Sequence, residues 1–206
     1  MISICLMLAA EQPDRNELSL LEDHIEATGT GDPEAFATLY EKTKAAVYGF
    51  SLSILKHAQD AEDVLQDTFL HIYSAAGKYE KKGSPMPWIF TIARNLCLMR
   101  LRANHRTEEL PKDREEAVDP EDTFSSLEDR QVLKAAMTLL SSEERQVIML
   151  HAVGGLKHRE IAELLQIPLS TALSRYHRSL QKMRQALKEQ AAPHGGNRPC
   201  AKEELL

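Results

Sequence analysis

Cysteine is scarce: Cys5, Cys97 and Cys200 are the only three in 206 residues, far apart and without a C-x-x-C pair. That spacing fits neither a disulfide framework nor a sequence-local zinc cage, and it suits a reducing cytosol. Long apolar runs are missing as well. The opening MISICLMLAA is apolar for ten residues, but no Lys or Arg precedes it, acids follow it, and it is too short to cross a bilayer. Neither a signal peptide nor membrane insertion is expected, and a cytoplasmic location is. No segment alternates with period two beyond a few positions, so no sheet is expected. There is no G-x-x-x-x-G-K-[ST] loop, no G-x-S-x-G elbow and no H-E-x-x-H pair, which removes the usual handles of the enzyme classes. His57, His71, His151, His158 and His177 share no ligand spacing, so no metal and no other cofactor is expected.

What is present is ordinary in total and uneven in distribution. Hydrophobic residues at 43% and charged residues at 27% are those of a soluble globular chain. The net charge of −6 hides a partition. Residues 106–130 carry ten acids against four bases, and residues 171–192 five bases against one acid. An acidic stretch with Pro111 and Pro120 but no apolar periodicity therefore separates two helical blocks. Stretched out, about twenty residues bridge roughly 70 Å, so the blocks need not touch.

The first block reads as three helices. Asp32 and Pro33 open a helix over 32–59 with Phe36, Leu39, Tyr40, Val47, Phe50 and Ile54 at helical spacing. Asp60 offers a cap for AEDVLQDTFLHIYSAAG, whose stripe is Leu65, Phe69, Ile72 and Ala76, with Gly77 as the stop. The loop KYEKKGSPMP precedes WIFTIARNLCLMRLRANHR, apolar almost all round at first and basic at its end. Cys97 and Trp88 sit in that apolar run and read as core.

The second block begins near Leu127, with Leu133, Met137 and Leu140 on one stripe. Ser141 and Glu144 match the S-x-x-E capping box of SEERQVIMLHAV. HREIAELL, the break QIP and a last helix capped by Ser170 follow. On that helix Leu173, Tyr176, Leu180, Met183 and Leu187 form an apolar stripe, while Arg175, Arg178 and Lys182 share another face. Two helices joined by three or four residues, the second one basic, make a helix-turn-helix. Such a second helix enters the major groove by its N-terminal end. Ser170, Thr171 and Ser174 would reach phosphates or base edges there, and Arg can fork onto guanine. The plainer alternative is a helical packing unit with a solvated basic face. Gln166 stands where a turn glycine is common, and Lys157 is a poor cap.

Taken together, the blocks resemble an extracytoplasmic-function sigma factor, the small two-domain class of the sigma-70 superfamily. GDPEAFATLYEKTKAAVYGFSLSIL looks like that family's opening helix, AEDVLQDTFLHIY like its region 2.2, and PWIFTIARNLCLMRLR like regions 2.3 and 2.4. LSSEERQVIMLHAVGGLKHREIAELLQIPLSTALSRYHRSLQKMRQAL looks like region 4. The match runs in order over roughly residues 29–190.

The resemblance implies an all-α chain of two small helical domains joined by a flexible acidic linker. It divides into an N-terminal extension (1–28), region 2 (29–106), the linker (107–126), region 4 (127–190) and a disordered tail (191–206). It implies a non-enzymatic factor that binds bacterial core RNA polymerase and directs promoter-specific initiation through −10 and −35 elements. Asp63, Gln66 and Asp67 would dock on the clamp coiled coil of the largest subunit, and region 4 on the flap of the second-largest. Lys78, Lys81 and Lys82 in the loop, with Arg94, Asn95, Arg100 and Arg102 on the third helix, are the donors available to the −10 element. Ser170, Thr171, Ser174, Arg175, Arg178 and Lys182 would read the −35 duplex. Promoter DNA and polymerase are the implied partners, and an anti-sigma factor is a further one the family allows. Met99 stands where the family pattern often has Asp, and Leu173 where Lys is common. Two other classes stay open at this stage: a dimeric helix-turn-helix repressor or activator, and an enzyme on nucleic acid using Glu62, Asp63 and Asp67.

Overall fold

The computed structural model describes residues 15–107 and 137–191. The expectations for the acidic linker, for Leu133 and for the tail beyond 191 lie outside the described residues. Every described element is helical, and no strand occurs among the described residues.

Helix α1 (Arg15–Gly29) is an element the sequence reading did not assign. Its Leu21 and Ile25 are buried, one turn apart on the face that meets the next helix. Helix α2 (Pro33–Leu55) starts as expected: the Asp32 carboxylate accepts from the amides of Glu34 and Ala35 at 2.9 and 3.3 Å. It stops four residues earlier than the apolar spacing suggests. Lys56 turns left-handed at φ 57°, and its N–H donates to the Leu52 carbonyl, which closes the helix.

Helix α3 (Ala58–Ala75) corrects a second expectation, because its cap is His57 and not Asp60. His57 Nδ1 accepts from the Asp60 amide at 3.4 Å. The Asp60 carboxylate instead takes the Arg100 guanidinium at 2.9 Å and the Asn104 amide at 3.1 Å. A charged donor outbids a backbone amide for a carboxylate. A short 3-10 turn (Ala76–Lys78) leads to the loop before α4 (Pro85–Thr107). The helix thus begins three residues before Trp88. Pro85 and Pro87 fall in its first turn, where the missing N–H groups would have had no intrahelical acceptor.

In the second module, α5 (Ser142–Ile148) carries the expected capping box: the Glu144 amide donates to Ser141 Oγ and the Ser141 amide to the Glu144 carboxylate. A wider π turn (Met149–Val153) continues it and ends at Gly154 and Gly155, the latter at φ 68°. Helix α6 (His158–Leu165) and α7 (Leu169–Ala191) form the helix-turn-helix. Gln166 adopts φ 57°, ψ 45°, so it makes the turn left to glycine elsewhere. Ser170 is not the cap of α7. The helix starts two residues earlier than such a cap would set it, at Leu169, and the Pro168 carbonyl accepts from the amides of Thr171 and Ala172. Leu173 is also not on the buried stripe: it is 37% exposed, while Ala172, Ser179, Met183 and Ala186 are buried.

The linker length would let the modules stand apart, yet they pack together. Leu39, Val47, Phe50, Phe69, Ile72, Ile89 and Phe90 share one apolar cluster with Val147, Leu150, Leu156 and Ile161. A Cβ on Gly154 would sit 2.6 Å from the Phe90 ring, and one on Gly49 would sit 2.4 Å from the Met149 methyl. Ser84 Oγ donates to Glu160 at 2.8 Å, and Ser142 Oγ to the Ser53 carbonyl at 3.2 Å. Smaller clusters hold each module by itself, around Leu52, Leu55, Val64 and Cys97 and around Leu140, Ile148 and Met183.

Candidate polymerase and nucleic-acid interfaces

Three surfaces follow from this packing. The first is the outer face of α3. Its inner face, Ala61, Val64, Thr68, Phe69 and Ile72, is buried, which turns Gln66 and Asp67 to solvent. Asp63 is half-buried and joined to Arg100 and to Gln59, so it anchors the rim of the face. Leu70 (67% exposed) and Tyr73 (51%) extend it. The sequence reading missed both, although they follow Gln66 at helical spacing. They join an acid and an amide to open apolar surface, with the Tyr73 ring 5.3 Å from Phe36.

The second surface is α4 and the loop before it. Lys78, Lys81, Lys82, Asn95, Arg102 and Met99 are exposed, and Arg94 is half-buried. Three of the expected donors are already engaged. Arg100 bridges Asp60 and Asp63. Lys81 is 2.7 Å from both Asp23 and Glu26 of α1, and the two carboxylates push its ammonium pKa up. Lys82 pairs with Glu80 at 3.3 Å. Trp88 is half-buried, its ring 4.9 Å from Tyr79. Cys97 is buried, and burial pushes its thiol up to about 11, which leaves it a small apolar side chain.

The third is the N-terminal half of α7. Ser170, Ser174 and Arg178 are exposed and Thr171 is half-buried; Ser174 Oγ and Arg178 Nε donate to carbonyls of their own helix. Arg175 and Lys182 lie toward α5. Lys182 Nζ donates to the buried Glu144 carboxylate at 2.7 Å. Burial would raise the Glu144 pKa, but Lys182 and the Ser141 amide outweigh it and leave it below its ordinary value. Lys182 is therefore a strut between α5 and α7. Behind this helix, Tyr176 meets the rings of His151 and His158, each at 4.7 Å, and the two imidazoles are 4.3 Å apart. His151 Nδ1 lies 2.8 Å from the Leu156 carbonyl. Burial and the neighbouring His151 and His177 hold His158 below its usual pKa. Among the described residues no group of three or more His, Cys, Asp or Glu is placed to hold a metal, and no helix is long and apolar enough to cross a membrane.

Comparison with known proteins gives two family matches in chain order: Sigma-70 region 2 over residues 39–107 and Sigma-70 region 4 over residues 130–183. The chain is 32% identical to the ECF RNA polymerase sigma factor SigK of Mycobacterium sp. (strain KMS), across 76% of this chain and 84% of that one. It is 27% identical to the ECF sigma factor SigW of Bacillus subtilis, across 82% and 98%. Among solved structures, the sigma factor RpoE of Bartonella quintana, in complex with the anti-sigma factor NepR, aligns with TM-score 0.61 and 25% identity, over 74% of this chain and 96% of that one. CnrH, in complex with the cytosolic domain of CnrY, aligns with TM-score 0.56 at 19% identity over 82% and 98%, a likeness of fold.

Proposed function

The chain belongs to the extracytoplasmic-function RNA polymerase sigma factors, and from that premise we propose how its surfaces divide the work. It binds core RNA polymerase and directs promoter-specific initiation. Region 2 (29–106 as read from the sequence) docks on the enzyme and reads the −10 element; region 4 (127–190) reads the −35 element; it acts in the cytoplasm and carries no catalytic step.

The observation that carries the division is the contrast between the two exposed polar faces. On α3, Gln66 and Asp67 project beside Leu70 and Tyr73, a mixture suited to a basic, partly apolar helical surface. On α7, Ser170, Ser174 and Arg178 project from the leading turns of the second helix of a helix-turn-helix, where base edges are reached. Lys78, Asn95 and Arg102 are exposed donors on the α4 side, and Lys82 joins them from a solvent-exposed pair with Glu80, a set suited to tracking a single strand.

The geometry adds a step. Elements separated by about one and a half turns lie roughly 55 Å apart at 3.4 Å per base step. Modules sharing one core cannot reach both, so the Phe90–Gly154 contact has to open on polymerase, within the reach of the linker. Runoff transcription with purified core enzyme tests the whole assignment. Transcripts starting downstream of paired −35 and −10 motifs are expected. Binding to a palindromic duplex with no effect on core polymerase would overturn it in favour of a dimeric repressor.

A further inference from the structure

Glu22 belongs to none of the surfaces above and precedes the stretch matched to region 2, yet it is one of the few acids buried in the first module, at 6% exposure. A carboxylate taken out of water needs donors to replace its hydration. Glu22 Oε1 has three: the Tyr79 hydroxyl at 2.9 Å, the Lys82 amide at 2.9 Å and the Gly83 amide at 2.8 Å. All three belong to the loop between α3 and α4. Two are successive backbone amides, the arrangement of an anion-binding nest. Gly83 at φ +76° sits where a side chain is strained, and there its N–H joins that of Lys82 on one oxygen.

The contact couples three parts of the module. Leu21 and Ile25 root α1 in the core, so the carboxylate is held from behind. Tyr79 packs its ring on Trp88 in the first turn of α4, so the loop is fixed to the helix it leads into. Burial, then Glu22 itself, raise the Tyr79 hydroxyl above its ordinary range, and it stays a donor. The exposed pairs of Lys81 with Asp23 and Glu26 are worth little energy.

We propose that Glu22 is a positioning residue for −10 recognition: it fixes the 79–83 loop in the shape that offers Lys82 and the leading turn of α4 to an unpaired promoter base. The inference rests on the −10 assignment of this loop, and the experiment separates the two. Glu22→Ala, Glu22→Gln and Tyr79→Phe are compared with the natural chain in two measurements. Amide hydrogen exchange on the free protein reads the loop alone. Lys82 and Gly83 should exchange on the order of tenfold faster in Glu22→Ala and less so in Glu22→Gln, which keeps an acceptor without the charge. Transcription with core polymerase from promoters randomised separately in the upstream and downstream elements reads selectivity. Glu22→Ala should flatten base preference at −10 by several-fold, with −35 preference and core affinity unchanged. Unchanged exchange overturns the positioning role itself. Faster exchange with intact −10 preference leaves the loop contact standing but overturns its link to the promoter. Equal losses at −10 and −35 reduce Glu22 to general stability and overturn the proposal as well.

Discussion

The two modules handle charge in opposite ways. In the first, basic side chains near the expected −10 surface are drawn into internal pairs: Arg100 by Asp60 and Asp63, Lys81 by Asp23 and Glu26. In the second, the leading turns of α7 keep Ser170, Ser174 and Arg178 outside, Arg175 lies toward Glu143, and Lys182 is tied back to Glu144. The difference follows from what lies alongside. Helices α1 and α3 bring carboxylates to the flank of α4. On α7 the acid lies behind the helix, on α5. A basic residue in a sequence is a candidate donor; its neighbours decide whether it is a donor to DNA or a strut.

The sharpest way to break this contrast is to remove the core that the modules share. Phe90 is fully buried, 5.2 Å from Phe50 and against Gly154. Phe90→Ala should cost about 3–5 kcal/mol, and denaturant unfolding followed separately in α4 and α7 should show both transitions moving. Independent modules would leave the second one in place. Charge reversal on the first module comes next. Asp67→Arg puts a cation on the outer face of α3, and core-polymerase affinity should fall by about 2 kcal/mol, with an unchanged melting temperature because the side chain is exposed.

On the second module, Arg178→Ala should cost on the order of 1–3 kcal/mol in −35-dependent binding by holoenzyme and leave stability alone. Lys182→Ala should do the reverse, lowering stability by exposing Glu144 to burial without its ion. If both behave alike in promoter selection, the distinction between donor and strut fails. The smallest effect concerns pH. The folded state holds the His158 pKa below 6.5, so its neutral form contributes stability above that value. The contribution is lost as pH falls through the lowered folded pKa, because the unfolded chain takes up the proton first. Urea midpoints should therefore decline below about pH 6.5, and His158→Phe, which keeps the ring beside Tyr176, should flatten that decline.

Local signals in the sequence carried most of the helical pattern. Ser141 with Glu144, Asp32 with Pro33 and the span HREIAELL appear in the structure as read, because caps and short amphipathic turns are decided by neighbours within four residues. Failures occurred where a distant partner intervened. Asp60 has the composition of a cap, but Arg100, forty residues away, takes its carboxylate. Leu173 has the spacing of a core residue. Its spacing puts it at the head of the stripe that continues through Tyr176 and Leu180, but it loses the inner face to Ala172, which is fully buried. Leu70 and Tyr73 went unread because their spacing continues an apolar pattern, and a spacing alone does not say which side of a helix the core lies on. Helix α1 carried a stripe of Leu18, Leu21 and Ile25 that is short enough to pass unnoticed, and its value appears only where Glu22 meets the 79–83 loop.

Sequence by itself determined that this chain is helical, built in two blocks around an acidic stretch, and equipped with a helix-turn-helix. Those properties rest on periodicity, capping and local charge, which act over a few residues. Tertiary structure alone decided which charges are spent internally, that the two blocks share a core through Phe90 and Gly154, and that a buried acid from α1 shapes the loop before α4. Those are contacts between residues tens of positions apart, and only folding brings their partners within hydrogen-bonding or van der Waals range.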